Sequence, residues 1–305
     1  MEQKTAVIVM AYGTPKDLDD VLPYYTHIRR GSPPPPELLK ELTDRYAAIG
    51  GRSPLLEITE AQRLGIESRV GTKTYLGQKH AAPFIGEAVE SAIKDEAERI
   101  LGIVLAPHYS SGSIGQYESK ARTAAEQLDW NGDIQIIKSW ATAPGYVSWL
   151  AAEVKNELAA LSPEVRSRAM VVFSAHSLPL RVIEGGDPYA DELAATAAAV
   201  AAEASLEHWM VGWQSAGRTA DPWIGPDILE ITKTLASEGV PAAIICPCGF
   251  VADHLEVLYD IDIEAAALGD ELGIEIRRTR APNDDAAFLD VVAGVVEDAL
   301  RRASG

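Results

Sequence analysis

The chain has 305 residues, of which 47% are hydrophobic and 24% charged, and its formal net charge at pH 7 is −18. This composition is typical of a globular protein that is long enough for two ordinary domains. The negative charge argues against nucleic acid as a partner, because phosphate backbones bind cationic surfaces. The longest apolar runs, 100–106 and 170–173, are too short to cross a bilayer, and the N-terminal segment shows no signal-peptide pattern, so we expect a cytoplasmic protein without a transmembrane segment.

Strand-like and helical patterns alternate along the chain. Strands are predicted near 5–10, 73–77, 101–106, 134–138, 169–174, 208–213, 242–247 and 273–278. Helices are predicted near 37–48, 57–69, 84–98, 114–129, 145–160, 189–204, 226–237, 253–268 and 284–302. The pairs Thr59/Gln62 and Ser113/Gln116 have the spacing of a capping box and predict two of the helix starts.

Repeated strand–helix units indicate an α/β protein with parallel sheets flanked by helices. Eight strands divide into two similar Rossmann-like domains, each with a four-stranded parallel sheet. We expect an N-terminal domain over 1–140, a C-terminal domain over 141–283, and a final helical segment, 284–305, that packs back on the first domain. In such sheets ligands bind beyond the carboxyl ends of the strands.

Residues 249–265 form the most informative segment. As a helix, they place four carboxylates on one stripe: Asp253, Glu256, Asp260 and Glu264. Like charges at this spacing cost a helix about 0.2–0.5 kcal/mol per pair, so the row does not serve helix stability. Oxygen donors beside His254 favour a path for a divalent cation. The alternative is a solvated acidic face, with Asp253 as the helix N-cap.

Other candidate side chains follow strands. His176 comes after VVF at 171–173, where it can take a proton or bind a metal; the alternative is a histidine ordered by loop hydrogen bonds. Tyr12 follows the first strand, in VMAYGTP. His80 and His108 also follow strands, and each alone favours a structural role. Sequences of the types GxSxG, GxGxxG and Walker A are missing, which argues against a serine hydrolase and a nucleotide site.

A locally basic region occurs at residues 27–52, which carry five Lys or Arg against three acidic side chains. Arginine forks on an acidic protein suit a polycarboxylate or phosphate ligand, whereas ordinary surface arginines are the alternative. The only cysteines, Cys246 and Cys248, form a C-x-C, so the sequence supports neither a disulfide framework nor an iron–sulfur cluster.

In combination, nine sequence segments of the chain resemble the ferrochelatase family over nearly the full length. The matching segments, in order, are VMAYGTP, YYTHIRRG, RYAAIGGRSPL, LAPHYS, SAHSLP, GDPY, VGWQS, DPWIGPD and GFVADHLEVLYDID. The chain is most similar to the soluble bacterial members that act on coproporphyrin III. The resemblance implies a monomer with the porphyrin in the cleft between two similar domains. The segment 62–73 is shorter than in close relatives, so we expect a truncated helix before the second strand and an altered cleft rim.

The resemblance also implies roles for individual residues. His176 and Glu256 match the paired catalytic and metal-site residues of the family. Asp260 and Glu264 match an acidic ladder that leads cations to the site. Tyr12 matches the residue that approaches the porphyrin metal. The remaining positions that hold the macrocycle are Arg29, Arg45, Tyr46, Ser53 and Tyr117.

The implied activity is insertion of Fe²⁺ into coproporphyrin III, giving coproheme and releasing two protons, in heme biosynthesis. Tyr12 and the basic region favour coproporphyrin, with its larger number of propionates, over protoporphyrin IX. Fe²⁺ is then a substrate, the acidic ladder is compatible with an accessory divalent cation, and a transient contact with the next heme-pathway enzyme is compatible with the family. The alternatives are a protoporphyrin IX ferrochelatase, a chelatase that inserts cobalt or nickel, a coproheme carrier without catalysis, and a metal-binding α/β protein without tetrapyrrole affinity.

Overall fold

The computed structural model describes residues 4–219 and 221–303, which form two four-stranded parallel sheets. The strands are β1 (Thr5–Ala11), β2 (Thr74–Gln78), β3 (Arg99–Val104), β4 (Asp133–Ile137), β5 (Met170–His176), β6 (Trp209–Gln214), β7 (Ala242–Cys246) and β8 (Glu275–Arg278). The first sheet has the order β2-β1-β3-β4 and the second the order β6-β5-β7-β8, so the second half of the chain repeats the topology of the first. The predicted fold class is confirmed.

Helices cover the sheets. The first half contains α1 (Val21–Ile28), α2 (Pro36–Ala48), α3 (Leu55–Val70), α4 (Ile85–Lys94), α5 (Ile114–Gln127) and α6 (Pro144–Ala159). The second half contains α7 (Pro163–Arg166), α8 (Leu180–Glu184), α9 (Tyr189–Ala204), α10 (Ile228–Ser237), α11 (Leu255–Leu258), a π-helical turn (Asp260–Ala265), α12 (Ala266–Leu272) and α13 (Ala286–Ala303). No helix among residues 4–219 and 221–303 is long and apolar enough to cross a membrane.

The central strands are buried and largely apolar. In β5, Val171, Val172, Phe173 and Ala175 are all at most 1% exposed. Such continuous runs arise because helices cover both faces of a parallel sheet. At the carboxyl edge of the sheet the helices no longer cover the strands, and polar side chains occur there. His176 and Gln214, for example, lie opposite each other in the β5–β6 register.

All eight predicted strands and all nine predicted helical regions are present, but three short helices are not predicted: α1, α7 and α8. Helix α1 has a proline at its third position, which the first turn of a helix tolerates because its N–H groups have no intrahelical acceptor. The other two have four and five residues, too short for a periodic pattern to appear.

The two predicted capping boxes are wrong. Helix α3 begins four residues before Thr59, whose hydroxyl donates to the carbonyl of Leu55 at 2.6 Å. Gln62 is fully buried and donates across the molecule to the carbonyls of Val251 and Asn283. Ser113 does occupy the N-cap of α5, but its side chain makes no capping hydrogen bond.

The acidic segment is not one regular helix. A π-helical turn separates α11 from α12, and the N–H of Glu264 donates to the carbonyl of Tyr259 at 2.9 Å, five residues earlier. The proposal that Asp253 is the N-cap is wrong, because that position belongs to His254. Asp253 lies 3.2 Å from Arg278 and accepts a hydrogen bond from Asn283, so it leaves the carboxylate stripe and joins a structural network.

Helix α13 packs against α3 and α6. Leu289 lies on Gly65 so closely that a Cβ at that glycine would come within 2.5 Å of it, and Arg69 pairs with Asp290 at 2.6 Å. Phe288 is fully buried among Trp140, Tyr146 and Trp149. Residues 304 and 305, which end the predicted final segment, lie outside the described residues.

Candidate active site

The carboxyl ends of the two sheets enclose a cavity of about 960 Å³. Its walls come from the residues that follow β1, β2, β3, β5, β6 and β7, together with neighbouring helices that include α1, α2, α3 and α5. This placement follows from the topology, because parallel strands all end at the same edge of their sheet. The volume lies at the upper end of the range for small-molecule sites, about 300–1,000 Å³.

His176 and Glu256 meet in this cavity. His176 is the last residue of β5 and Glu256 lies in the first turn of α11, and the imidazole Nε2 is 3.5 Å from the carboxylate Oε1. The Nδ1 atom of His176 contacts the carbonyl oxygen of Ser177. Because a carbonyl can only accept a hydrogen bond, Nδ1 is the donor in this contact, and Nε2 is the nitrogen that faces Glu256 and can exchange a proton.

Two further aromatic side chains hold His176 in place. The Tyr189 hydroxyl donates to its backbone carbonyl at 3.1 Å, and the Trp223 ring lies 6.2 Å from the imidazole, centroid to centroid. Tyr189 in turn packs on Trp213. His176 therefore has a fixed backbone and a fixed ring face, as a group that accepts a proton at a defined point would require.

Glu256 is held as a carboxylate. Burial by itself would raise its pKa, but the neighbouring imidazoles of His176 and His254 and the Arg45 guanidinium outweigh that effect and lower the pKa of Glu256 to about 2. The hydrogen bond and charge of Glu256 likewise overcome burial and raise the pKa of His254. The carboxylate consequently remains charged throughout the neutral pH range and can attract a cation.

Gln214 connects the strand that carries His176 with the helix that carries Glu256. Its fully buried amide accepts a hydrogen bond from the Ser174 hydroxyl at 2.9 Å and donates to the backbone carbonyl of Glu256 at 2.8 Å. Its backbone carbonyl also accepts from the N–H of Ser177 at 2.8 Å. The Gln214 side chain therefore links the strand and the helix whose positions set the distance between the His176 imidazole and the Glu256 carboxylate.

We expect Gln214→Leu to lower the kcat of the reaction at this site by about tenfold, because the Glu256 carbonyl loses its donor and the carboxylate loses its fixed distance from His176. Thermal unfolding, measured in parallel, separates this effect from loss of folded protein. Thr232→Val, at a buried site on α10 outside the cavity walls, is the control. Equal losses of activity in both variants would contradict the positioning role.

Asp260 and Glu264 continue the line of carboxylates away from Glu256 along the cavity wall. Arg45 reaches both of them: its Nη2 lies 2.8 Å from Asp260 and 3.7 Å from Glu264. The second oxygen of Asp260 accepts a hydrogen bond from the Ser215 hydroxyl. Burial raises the pKa of Asp260 to about 6, against the opposing effect of Arg45.

The predicted macrocycle-binding residues divide into two groups. Tyr12, Arg45, Tyr46, Ser53 and Tyr117 line the cavity. Arg29 does not: it is exposed at the end of α1, with its guanidinium 5.9 Å from the ring of Tyr25, which does line the cavity. Arg29 is therefore at the rim, within one side chain of the cavity wall.

Tyr12 projects into the cavity directly after β1, with 43% of its surface open. The surrounding walls still remove much of its hydration, and this desolvation, together with the charge of Glu256 and the nearby Tyr46, raises the pKa of Tyr12 above its ordinary value. Its phenol is therefore neutral at physiological pH.

Lys79 is a cavity residue that the sequence did not single out. It follows β2, is 6% exposed, and its ammonium lies 5.5 Å from the ring of Tyr12 and 5.3 Å from that of Tyr117. Burial lowers its pKa to about 8. No described residue forms an ion pair with it. The one available signal was its place beside His80, at the end of a strand.

The chain is similar to known proteins over nearly its whole length. The family model for ferrochelatase matches residues 4–300. The coproporphyrin III ferrochelatase of Bacillus pumilus (strain SAFR-032) is 45% identical over 305 residues, 97% of this chain and 97% of that protein. The coproporphyrin III ferrochelatase of Bacillus subtilis (strain 168) is 43% identical over 310 residues, 98% of this chain and 99% of that protein.

Two solved structures share the fold. SirB from Bacillus subtilis with Fe³⁺ has a TM-score of 0.65 at 12% identity, covering 99% of this chain and 97% of its own. DR2241 from Deinococcus radiodurans, described as similar to chelatases, has a TM-score of 0.54 at 9% identity, covering 95% of this chain and 54% of its own. At these identities the likeness shows the architecture alone.

Proposed function

The chain belongs to the ferrochelatase family, and on this premise we propose that it inserts Fe²⁺ into coproporphyrin III, giving coproheme and two protons. The observation that carries the proposal is the pair formed by His176 Nε2 and Glu256, 3.5 Å apart in one cavity at the ends of the strands. The pair combines an imidazole nitrogen, which can accept a proton, with a permanent carboxylate, which can attract a cation.

The chemistry requires a base because two pyrrole N–H groups must lose their protons as iron enters. His176, whose side chain is 34% exposed, accepts one proton at Nε2 and releases it to solvent before it accepts the second. The Ser177 carbonyl holds the imidazole against rotation, and the Tyr189 hydroxyl holds the His176 backbone. Contacts at the edge of the macrocycle supply binding energy that offsets the bending of the ring, which exposes the nitrogen lone pairs.

Iron is a substrate here, and its path should bind it weakly. Among the described residues no group of three or more His, Cys, Asp or Glu side chains could hold a metal ion. Two groups, His176 and Glu256, leave coordination positions for the porphyrin nitrogens, so iron can be passed on and not trapped. Asp260 and Glu264 extend this path along the wall and are also where an accessory divalent cation would bind.

Cations around the cavity suit a ligand with several carboxylates. Arg45 and Lys79 line the wall and Arg29 lies at the rim, while Tyr46, Ser53 and Tyr117 offer hydroxyl groups. Lys79 in particular is buried without an acidic partner among the described residues, so a ligand carboxylate would relieve an existing cost. Coproporphyrin III has more propionates for such positions than protoporphyrin IX has.

The proposal extends to the assembly. Both sheets contribute to one cavity within a single chain, which supports an active monomer. Cys246 and Cys248 are both fully buried, and two cysteines are too few for a ferredoxin-type cluster, which supports a protein without an iron–sulfur centre. A transient contact with the next enzyme of the pathway would transfer the product.

The experiment is anaerobic metal insertion with Fe²⁺ and either coproporphyrin III or protoporphyrin IX, followed by the loss of the free-porphyrin spectrum. We expect rapid conversion of coproporphyrin III and little conversion of protoporphyrin IX. A preference for protoporphyrin IX would contradict coproporphyrin III as the substrate, and tight porphyrin binding without faster metal insertion would indicate a coproheme carrier. Faster insertion of cobalt or nickel than of iron at equal free concentrations would contradict iron as the metal.

A further inference from the structure

Arg45 pairs with Asp260, the middle member of the line of carboxylates formed by Glu256, Asp260 and Glu264. Its Nη2 lies 2.8 Å from one oxygen of Asp260, and the other oxygen accepts a hydrogen bond from Ser215. The guanidinium also lies 4.5 Å from the ring of Tyr259. The side chains of Arg45 and Asp260 are 23% and 5% exposed, so the pair is largely shielded from solvent.

In this arrangement Asp260 is a poor ligand for a metal ion. Both of its oxygens already have partners, and an approaching divalent cation would also meet the positive charge of Arg45 at short range. Glu264 is 3.7 Å from the same guanidinium, so two of the three carboxylates on the proposed iron path share one arginine.

Arg45 also lines the cavity in which the porphyrin is proposed to bind. A propionate has the same charge and the same hydrogen-bond acceptor geometry as Asp260, so a guanidinium can exchange one carboxylate for the other with little change in its own hydrogen bonding. Such an exchange would leave Asp260 with only its Ser215 hydrogen bond and with no guanidinium beside it.

We infer that Arg45 couples the two substrates: it neutralises Asp260 in the free protein, and a propionate of the bound porphyrin draws it away, which opens the carboxylate path to the metal ion. This inference rests on the proposed function. It predicts that porphyrin binding strengthens metal binding, and by linkage that metal binding strengthens porphyrin binding. It also means that iron can use the carboxylate path only when a porphyrin is already bound to receive it.

The direct test is Co²⁺ titration of the porphyrin-free protein at low ionic strength. Arg45→Met keeps the aliphatic stem beside Tyr259 but removes the charge, and we expect the Kd for Co²⁺ to fall by about tenfold. Arg45→Gln is a second variant in case the first does not fold. Adding Asp260→Asn to either variant should abolish the gain.

Arg218→Met is the matched control. Arg218 also lines the cavity and also pairs with a carboxylate, Glu41, but that pair is exposed and includes none of the three carboxylates of the proposed iron path. Its removal should leave the Kd for Co²⁺ unchanged. A purely structural role for Arg45 predicts weaker or unchanged Co²⁺ binding in Arg45→Met, and either result would overturn the inference.

A second arm uses zinc coproporphyrin III, whose centre is already filled. The Co²⁺ affinity of the wild-type protein should rise when this ligand is bound, whereas that of Arg45→Met should not change further. If the wild type shows no rise although the ligand is bound, the coupling is wrong while the proposed function stands. If zinc coproporphyrin III does not bind at all, the proposed function fails, and the porphyrin-free titration still reports on Arg45 and Asp260.

Discussion

His176→Ala is expected to lower the kcat of iron insertion by at least about a hundredfold, the usual contribution of a positioned general base. The substitution removes the Nε2 lone pair that faces Glu256 but leaves the cavity walls and the cations that hold the propionates. The Kd for coproporphyrin III should therefore change by less than about threefold, as for loss of a contact made mainly in the transition state.

The measurement combines anaerobic insertion kinetics with porphyrin binding followed by fluorescence. His208→Ala is the control, because His208 is exposed and lies outside the cavity walls. If His176→Ala inserted iron at the wild-type rate, His176 would not be the base. If it lost porphyrin binding in proportion to activity, its role would be to hold the macrocycle.

The elements that the sequence predicted are those whose pattern is local. Strand β5 is buried from Val171 to Ala175, and the apolar run at 170–173 predicts this burial. The alternation of such strands with helical periods was enough to predict two parallel sheets, because few other arrangements bury both. The short helices α7 and α8 were missed because four or five residues contain no full period.

The candidate site was predictable in its residues but not in its contacts. The end of β5 indicated His176, and the resemblance to ferrochelatases then paired it with Glu256. Arg45 and Asp260 are 215 positions apart, and their ion pair depends on how two halves of the fold meet. The regular-helix prediction was wrong at the π-helical turn, since an inserted residue in a helix has no signature in side-chain periodicity.

Lys79 illustrates a different limit. A buried lysine without an acidic partner among the described residues is unfavourable for folding, so propensity and patterning argue against it. Sequences that specify one fold commonly break such rules where a ligand is bound. The position of Lys79 between Tyr12 and Tyr117 is therefore informative only once the cavity is known.

Glu256→Gln is expected to lower kcat/KM for Fe²⁺ by about a hundredfold or more, with a rise in the KM for iron as well as a loss of kcat. With a pKa of about 2, the carboxylate is ionised at every pH at which the reaction can be measured, so the substitution removes a full charge beside His176. The amide keeps the shape of the side chain and leaves the backbone hydrogen bond from Gln214 in place.

The size of the loss should decrease along the path away from His176. Glu264→Gln should cost less than Glu256→Gln, since its side chain is 44% exposed and solvent screens its charge. Glu207→Gln, at an exposed position outside the cavity walls, controls for loss of surface charge. Steady-state rates measured against free Fe²⁺ concentration for the three variants give the order of their losses. A larger loss for Glu264→Gln than for Glu256→Gln would show that iron is captured at the outer carboxylate and does not depend on the pair of His176 and Glu256.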